Sequence, residues 1–294
     1  MTAIQTTGLV KRFGKFEALR GIDIEVRTGE VFGFLGPNGA GKSTTIRILL
    51  DEIRASEGSA SVLGLDSRGD AVEVHRRIGY LPSDLALYPK MSGHDTLRFF
   101  ARLRGEVDQG FVAQLAERFA ADLDKPTGEL STGNRQKVGL IAAFMHKPEL
   151  LIMDEPNAGL DPLVQHEFQQ LIRETVDEGR TVFLSSHTLS EVQRVADRVG
   201  IIRGGEMVAV ENIDDLRAVR RVDLQLDREP NPEDFTGVDG ARDVRVVDNR
   251  VHLAFDGDMG ILLDAIAPHY RVVDLSASDA DLEEVFLAFY QDQR

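Results

Sequence analysis

The sequence contains no cysteine, and its longest apolar runs are short. The absence of cysteine excludes a disulfide framework and a cysteine-ligated zinc site, and it fits a reducing compartment. The apolar runs fall far short of the ~18 residues that a membrane-spanning helix needs, and no secretory segment follows Met1. We therefore expect a protein that is soluble or attached to the periphery of a membrane.

Basic residues are outnumbered, since the 294-residue chain has a formal net charge of −15. General affinity for nucleic acid needs basic surfaces that displace counterions, so the charge argues against a nucleic-acid partner. The acidic excess is uneven, because residues 220–294 hold 17 acidic and 8 basic side chains. The length favours about two domains, and we predict one over residues 1–218 and a smaller one over residues 219–294.

The strongest motif has the glycines, lysine and serine of a phosphate-binding loop at the required spacing. An apolar run over residues 31–35 precedes it and a helical pattern follows, which is the strand, loop and helix order that supports the motif. Backbone N–H groups of such a loop surround phosphate oxygens, the lysine reaches the β and γ phosphates, and the serine hydroxyl binds Mg²⁺. The alternative is a glycine-rich turn. The motif comprises Gly36, Pro37, Asn38, Gly39, Ala40, Gly41, Lys42, Ser43 and Thr44.

Two further apolar strands end in polar side chains. Asp154 and Glu155 follow the first strand, and His187 follows the second. One carboxylate is suited to hold Mg²⁺ and the other to orient or deprotonate an attacking water. A lone histidine is usually structural, but ligands of open α/β sheets bind beyond the carboxyl ends of the strands. We therefore expect His187 to reach the same crevice as the two acids.

A helical subdomain is predicted over residues 84–146, where apolar residues recur at helical spacing. Within it, Ser131 is a good N-cap and Gly133 leaves the backbone open, so this helix start is either a second anion site or a plain helix cap. Asp161 caps a later helix, with Pro162 at its first position.

The first strands, over residues 3–31, alternate polar and apolar positions and predict a mostly antiparallel sheet. Phe13 lies in this region, where an aromatic ring either stacks on a nucleotide base or fills the core. Its spacing alone favours the core.

The C-terminal quarter contains no catalytic constellation. His252 and His269 are single and unpaired in sequence, so we interpret both as structural. The alternation predicts short strands near 222–226, 244–247, 251–255 and 271–275, with helices near 259–267 and 282–290.

These motifs, in this order and spacing, make residues 3–218 similar to ATP-binding-cassette ATPases. Within that superfamily the chain most resembles the cytosolic ATPase subunits of drug, antibiotic and polysaccharide exporters whose membrane subunits are separate chains. Those subunits also have a C-terminal extension, which ends in a sequence motif similar to residues 281–286. The resemblance implies an α/β fold, a P-loop cassette with a mixed sheet core, an antiparallel β subdomain and a helical subdomain, followed by a small α+β domain.

The resemblance also implies ATP and Mg²⁺ as cofactors, a homodimer closed head to tail around ATP, an integral membrane permease as partner, and a location at the cytoplasmic face of the membrane. It assigns Phe13 to adenine stacking, residues 36–44 to phosphate binding, and Ser43 and Asp154 to Mg²⁺ binding. It assigns Lys42 to catalysis, Glu155 the role of catalytic base, and His187 the role of sensing the γ-phosphate. Ser131 and Gly133 would contact ATP bound to the other subunit, and Asp161 would lie in the loop that crosses the interface between the two subunits.

The chain departs from the family pattern at three places. Ser83, followed by Asp84, stands where a glutamine usually contacts Mg²⁺ and the membrane subunit, and Asp84 is a candidate replacement. Thr132 and Asn134 interrupt the usual Leu-Ser-Gly-Gly-Gln signature, and Asn157 replaces a commoner threonine.

Two other classes of function compete with transport. One is a soluble member of the superfamily that acts on ribosomes or DNA, although translation-factor relatives carry two cassettes and DNA-repair relatives carry long coiled-coil insertions, neither of which is found in this sequence. The other is a regulatory nucleotide-binding module in which the acidic C-terminal domain is the working part.

Overall fold

The structure is a computed structural model that describes residues 1–105 and 107–279. Within those residues, no helix is both long enough and apolar enough to span a bilayer. The strands are β1 (Thr2–Phe13), β2 (Phe16–Arg27), β3 (Val31–Leu35), β4 (Glu57–Val62), β5 (Leu65–Asp66), β6 (Ile78–Leu81), β7 (Leu150–Asp154), β8 (Thr181–Ser186), β9 (Arg198–Arg203), β10 (Glu206–Asn212), β11 (Val219–Leu226), β12 (Ala241–Val247), β13 (Arg250–Asp256) and β14 (Val272–Asp279). The helices are α1 (Lys42–Leu49), α2 (Ala71–Arg77), α3 (Gly93–Arg104), α4 (Gln109–Arg118), α5 (Thr132–Phe144), α6 (Pro162–Asp177), α7 (Leu189–Val195), α8 (Ile213–Ala218), α9 (Glu233–Thr236) and α10 (Met259–Ile266), with a 3-10 helix at Thr127–Glu129.

The chain forms two compact units, the first over Met1–Val210 and the second starting at Glu211. A sheet in the order β10-β9-β3-β8-β7-β6 lies at the centre of the first unit. The pairs among β3, β6, β7, β8 and β9 are parallel. Every residue of β3, β7 and β8 is buried, which explains why these strands are apolar along most of their length. Since parallel strands end at the same sheet edge, the segments that follow β3, β7 and β8 meet there.

A second sheet of the first unit is antiparallel, in the order β2-β1-β4-β5, as the alternation over residues 3–31 predicts. Its buried side chains, including Leu19, share one hydrophobic core with Phe34 of β3, Ile46 of α1 and Phe183 of β8. This shared core fixes both ends of the loop between β3 and α1 at the edge where the parallel strands end.

Helices α3, α4 and α5 lie within residues 84–146, where the sequence predicts a helical subdomain. Arg118 of α4 binds Glu167 and Glu174 of α6 at 2.9 and 2.6 Å. These charge-assisted contacts tie α4 to the helix that packs on β8.

The second unit is a small α+β fold, as predicted. Its antiparallel sheet has the order β12-β13-β11-β14, and α9 and α10 pack on it through a core that includes Val222, Phe235, Phe255 and Leu262. The sequence misses α8 and α9 because helices of four to six residues are too short to show a helical period. The helix predicted near 282–290 lies outside the described residues.

The interpretation of His252 as unpaired is wrong. Its Nδ1 contacts Asp223 Oδ1 on the neighbouring strand, since the register of β11 and β13 sets the two residues opposite one another. Both side chains are more than a third exposed, at 38% and 42%, so the pair adds little to stability. The pair is a surface cross-strand contact.

Candidate functional site

The loop between β3 and α1 has the backbone shape that a phosphate-binding loop needs. Gly39 and Gly41 have φ angles of 79° and 118°, a region that residues with a Cβ rarely enter. A Cβ on Gly36 would lie 2.3 Å from the carbonyl oxygen of Ile202, and one on Gly41 would lie 2.6 Å from a methyl of Leu19. Backbone conformation and packing therefore both require glycine here.

Helix α1 starts directly after this loop with an unshielded N-terminus. Its first turn contains no acidic residue, and no side chain caps its N–H groups. Ser43 and Thr44 lie half-buried in that turn. Unpaired N–H groups and the positive end of the helix dipole together attract an anion. The loop and the helix start thus form one site for phosphate groups.

The Lys42 side chain is buried and lies between the loop and the end of β7. Its Nζ donates a hydrogen bond of 2.6 Å to the Gly36 carbonyl and lies 3.3 Å from Glu155 Oε1. Although the ammonium is this close, Glu155 Oε1 is buried and accepts no hydrogen bond from any described residue. A buried carboxylate oxygen without a donor is suited to accept one from a water or a substrate.

The side chains of Asp154 and Glu155 contact different partners. The Asp154 side chain is buried, and Ser185 on β8 donates a hydrogen bond to its Oδ1. The Glu155 backbone has a φ of 52°, in the left-handed region, and its N–H donates to Ser185 Oγ at 3.1 Å. The adjacent acids can therefore take separate tasks.

His187 lies where the parallel topology predicts. It follows β8 directly, and its Nδ1 is 2.8 Å from Glu155 Oε2. Its side chain is 56% exposed, so the outer part of the ring remains accessible to a ligand above the strand ends. The structure thus brings Lys42, Glu155 and His187 together.

The expected Mg²⁺ ligands, Ser43 and Asp154, suit a cation that keeps few protein ligands. Residues 1–105 and 107–279 contain no group of three or more His, Cys, Asp or Glu side chains that could hold a metal ion. Mg²⁺ is commonly bound through one or two protein oxygens together with phosphate oxygens and waters. One carboxylate and one hydroxyl beside a phosphate-binding loop fit that donor set.

The Ser131 segment is a capped helix start. Ser131 Oγ accepts the Asn134 N–H at 3.2 Å, and the Ser131 side chain is exposed. A Cβ on Gly133 would lie 2.5 Å from the Gly159 carbonyl oxygen, so this glycine is required by packing. The amide of Asn134 exchanges hydrogen bonds of 2.8 and 2.6 Å with the backbone of Asp122. Asn134 therefore fixes the approach to α5, which gives this departure from the family signature a structural role.

Asp161 caps α6, as the sequence predicts. Its Oδ1 accepts the N–H groups of Leu163 and Val164 at 3.1 and 3.0 Å, and the residue is exposed. In the preceding loop, Asn157 Oδ1 is buried and accepts no hydrogen bond from the described residues. Gly159 of this loop lies directly against Gly133 at the start of α5, so the loop is packed next to the Ser131 helix.

Phe13 does not fill the core, so the interpretation that its spacing favours is wrong. The residue is 49% exposed at the end of β1, and Lys11 Nζ lies 4.7 Å from the centre of its ring. Because the lysine covers one face of this half-exposed ring, another planar group would stack on the opposite face. The base-stacking alternative is therefore the one compatible with its position.

Ser83 and Asp84 are exposed and line a cavity of about 420 Å³ that extends to Asp154. Leu85, Leu87, Phe100 and Arg104 also line it. Burial lowers the pKa of Arg104. The position that a glutamine usually occupies therefore opens onto a partly apolar groove beside the proposed metal ligand.

One site residue has no counterpart among the sequence predictions. Ser185 is fully buried and contacts both acids, yet the sequence indicates only that the apolar part of β8 ends in polar residues. The signal that identifies it is the pairing of β7 with β8, which sets Asp154 opposite Ser185.

Known proteins resemble this chain in sequence and in fold. The family model described as "ABC transporter" matches residues 19–158. The linearmycin resistance ATP-binding protein LnrL of Bacillus subtilis (strain 168) is 31% identical over 97% of this chain and 97% of its own length. A solved structure described as the ATP-binding subunit of an ABC transporter is 28% identical, with a TM-score of 0.68, over 73% of this chain and 92% of that chain.

Another relative is considerably longer than this chain. The probable multidrug ABC transporter ATP-binding protein YbhF of Escherichia coli (strain K12) is 35% identical over 77% of this chain. The match spans 40% of the length of YbhF. The likeness to YbhF therefore concerns less than half of that protein.

Proposed function

The chain belongs to the ABC transporter family of ATP-binding proteins, and we propose that it is the ATP-hydrolysing subunit that powers an exporter. The observation that supports hydrolysis most strongly is the juxtaposition of Lys42, Glu155 and His187 at one edge of the sheet. The proposed cargo is a drug, an antibiotic or another small amphipathic molecule. The names of LnrL and YbhF, which concern linearmycin resistance and multidrug transport, support that class and the export direction.

The proposed chemistry assigns one task to each part of the site. The loop over residues 36–44 and the start of α1 bind the phosphates, and Lys42 adds a positive charge near the β and γ positions. Ser43 and Asp154 would hold Mg²⁺, which when bound neutralises phosphate charge. Glu155 accepts a proton from the attacking water. Its Oε1 is suited to this task because it is buried and accepts no hydrogen bond from the described residues.

His187 has two neighbours in this scheme. Its Nδ1 side faces Glu155. We propose that the rest of the ring contacts the γ-phosphate, which its exposure permits. A ring that contacts both the base and the transferred group senses whether the triphosphate is intact. We propose Phe13 as the residue that stacks on adenine, which its exposure permits.

We propose that two copies close head to tail around ATP. Ser131 and Gly133 of one copy would contact the nucleotide bound to the other copy, and Asp161 would lie in the loop that crosses the seam. The exposure of Ser131 and Asp161 and the capped start of α5 support this arrangement. ATP favours the closed form because it contacts both copies only there, and hydrolysis with phosphate release reopens it.

A membrane permease subunit is the proposed partner, which would place the chain at the cytoplasmic face of the membrane. The proposed contact is the surface over residues 85–89, where Tyr88 is 58% exposed and packs edge-on against Phe99 at 5.7 Å. Exposed aromatic clusters of this kind are typical of protein contacts. The groove beside Ser83 and Asp84 adjoins this surface and leads to Asp154, so a partner seated there has a route to the ATP site.

The second candidate function, a soluble regulatory or interaction protein without transport, receives less support. LnrL is named as a resistance protein and YbhF as a probable transporter protein. The acidic composition gives no support to a nucleic-acid partner.

Reconstitution tests the proposed function. The chain is purified from its native host with any membrane protein that binds it, and ATP-dependent phosphate release and cargo movement are measured in vesicles. Lys42→Ala should abolish both, whereas Lys147→Ala, at an exposed position before β7, should not. Phosphate release without an associated membrane protein would favour the non-transport alternative. Undiminished release by the Lys42→Ala protein would contradict the site assignment.

A further inference from the structure

We infer that Ser185 positions both acidic residues of the hydrolysis site, an inference that rests on the function proposed above. Ser185 is fully buried near the end of β8 and pairs in register with Asp154 on β7. Its hydroxyl therefore lies between the strand that ends in the two acids and the strand that leads to His187. No described motif assigns it a role.

The hydroxyl of Ser185 makes two hydrogen bonds at once. It donates its hydrogen to Asp154 Oδ1, and it accepts the backbone N–H of Glu155 at 3.1 Å. A hydroxyl group has one donor and two acceptor positions, so the two contacts are compatible. Aliphatic side chains can make neither contact, and a cysteine thiol makes both only weakly.

The first bond fixes the carboxylate of Asp154. With Oδ1 occupied by the Ser185 donor, rotation of the carboxylate is restricted and Oδ2 is left for other ligands. Groups that hydrogen-bond to a metal-binding side chain orient it, and their loss typically costs 10- to 100-fold in metal affinity or activity. Ser185 thus orients the Asp154 carboxylate through this hydrogen bond.

The second bond acts on the backbone of Glu155. The φ of 52° at this residue is a left-handed conformation that carries a steric cost for a side chain with a Cβ. The Glu155 N–H is held by Ser185 through its Oγ at 3.1 Å and its carbonyl oxygen at 3.2 Å. These bonds support the turn that aims the Glu155 carboxylate at Lys42 and His187.

The adjacent serine has a different role. Ser186 Oγ donates to Glu191 Oε2 at 2.6 Å and accepts the Thr188 N–H at 2.9 Å. Those contacts shape the turn into α7 and touch neither acid. Of this serine pair, only Ser185 therefore joins the two acidic residues.

The test compares Ser185→Ala, Ser185→Thr and Ser185→Cys with Thr181→Val. Thr181 lies at the other end of the same strand, and its buried hydroxyl accepts only the Gly29 N–H among the contacts described, at 2.9 Å. The measurements are phosphate release, thermal melting, and the ATP dissociation constant with Mg²⁺ and with EDTA. The last pair reports the contribution of Mg²⁺ to binding independently of turnover.

We expect Ser185→Ala to lower kcat by about 10- to 100-fold. It should also reduce the gain in ATP affinity that Mg²⁺ provides, while the affinity in EDTA stays at the wild-type value. Ser185→Thr keeps the hydroxyl and should restore both quantities. Thr181→Val should lower the melting temperature but leave turnover and the Mg²⁺ effect unchanged.

The proposal is overturned if Ser185→Ala, or Ser185→Cys where the alanine protein does not fold, retains wild-type turnover and the full Mg²⁺ effect. It is also overturned if Thr181→Val causes the same losses. Glu155→Gln separates this failure from that of the proposed function. The positioning role of Ser185 alone would be refuted if the wild type hydrolyses ATP, the Glu155→Gln protein does not, and the Ser185→Ala protein is unaffected. Absence of hydrolysis by the wild type with its membrane partner would refute both.

Discussion

Glu155 Oε2 lies 2.8 Å from His187 Nδ1, although 32 positions separate the two residues in sequence. The contact follows from the parallel pairing of β7 with β8, because Glu155 comes directly after the first strand and His187 directly after the second. One carboxylate thus contacts both a histidine and, through its other oxygen, the ammonium of Lys42 at 3.3 Å. The site is assembled by strand order, and its function can be tested residue by residue.

Replacement of His187 by alanine should separate ATP binding from hydrolysis. The variant removes a group next to Glu155 and the proposed γ-phosphate position, so we expect kcat to fall about 10²- to 10³-fold, as when a transition-state donor is lost. The side chain is 56% exposed, so the melting temperature should change little. His166→Ala, at an exposed position on α6, is the matched control. Equal turnover of the two variants would count against the assignment.

Phe13→Ala should weaken ATP binding. Base stacking on an aromatic ring contributes about 1–3 kcal/mol, so we expect the dissociation constant to rise about 5- to 150-fold. Phe16→Ala is the control, since Phe16 is also exposed and lies opposite Phe13 in the hairpin. Calorimetric titration with ATP decides between them. The stacking role fails if both variants bind ATP as the wild type does.

Tyr88→Ser should weaken association with the membrane subunit. The change removes an exposed ring that packs against Phe99, while the catalytic residues stay unaltered. Val72→Ser, on the exposed side of α2, removes an apolar side chain outside the proposed contact surface. Co-purification yield and the stimulation of ATP hydrolysis by the partner are the measurements. Equal losses in the two variants would exclude a specific contact at residues 85–89.

Stability should fall in mildly acidic solution because of His146. Burial, aided by the nearby Arg104 charge, lowers the pKa of His146 from 6.5 to about 4. Between those values the unfolded chain binds a proton that the folded chain does not, so the stabilisation is complete above pH 6.5 and is lost as the pH falls toward 4. The slope reaches at most about 1.4 kcal/mol per pH unit for one proton.

Urea unfolding of the wild type and His146→Gln from pH 7.5 to pH 4.5 measures this effect. His146 Nδ1 is buried and has no hydrogen-bond partner among the described residues, whereas Nε2 contacts the Ile78 carbonyl at 3.0 Å. The variant should lose some stability at neutral pH and should show a shallower decline with acid. Identical slopes in the two proteins would exclude His146 as the source.

The sequence predicts the family and the fold class correctly, and it predicts which strand and helix ends carry the main motifs. These predictions succeed because a phosphate-binding loop needs glycines at fixed positions, such as Gly41 with its φ of 118°. They also succeed because buried parallel strands appear in the sequence as apolar runs. Motifs at strand ends converge once the strands are known to be parallel. The contact of His187 with Glu155 follows from that rule.

The sequence does not predict contacts that depend on register or exposure. Phe13 has the spacing of a core residue, but it lies at the end of β1, where its ring is half-exposed. His252 looks unpaired until β11 and β13 align it with Asp223. The role of Ser185 is equally hidden in the sequence, because it depends on which residue of β7 lies opposite Ser185. Such pairings are set by the tertiary structure and leave no local pattern.

The most direct test of the central claim is the molar mass of the Glu155→Gln protein in solution, measured by light scattering with and without Mg²⁺ and ATP. Loss of the general base should slow hydrolysis by about 10²- to 10⁴-fold and so preserve the ATP that joins two copies. The account predicts that the mass of the 32.5 kDa chain doubles on addition of ATP, and that Ser131→Arg prevents the doubling. A Glu155→Gln protein that stays monomeric at saturating ATP and releases phosphate at the wild-type rate would contradict it.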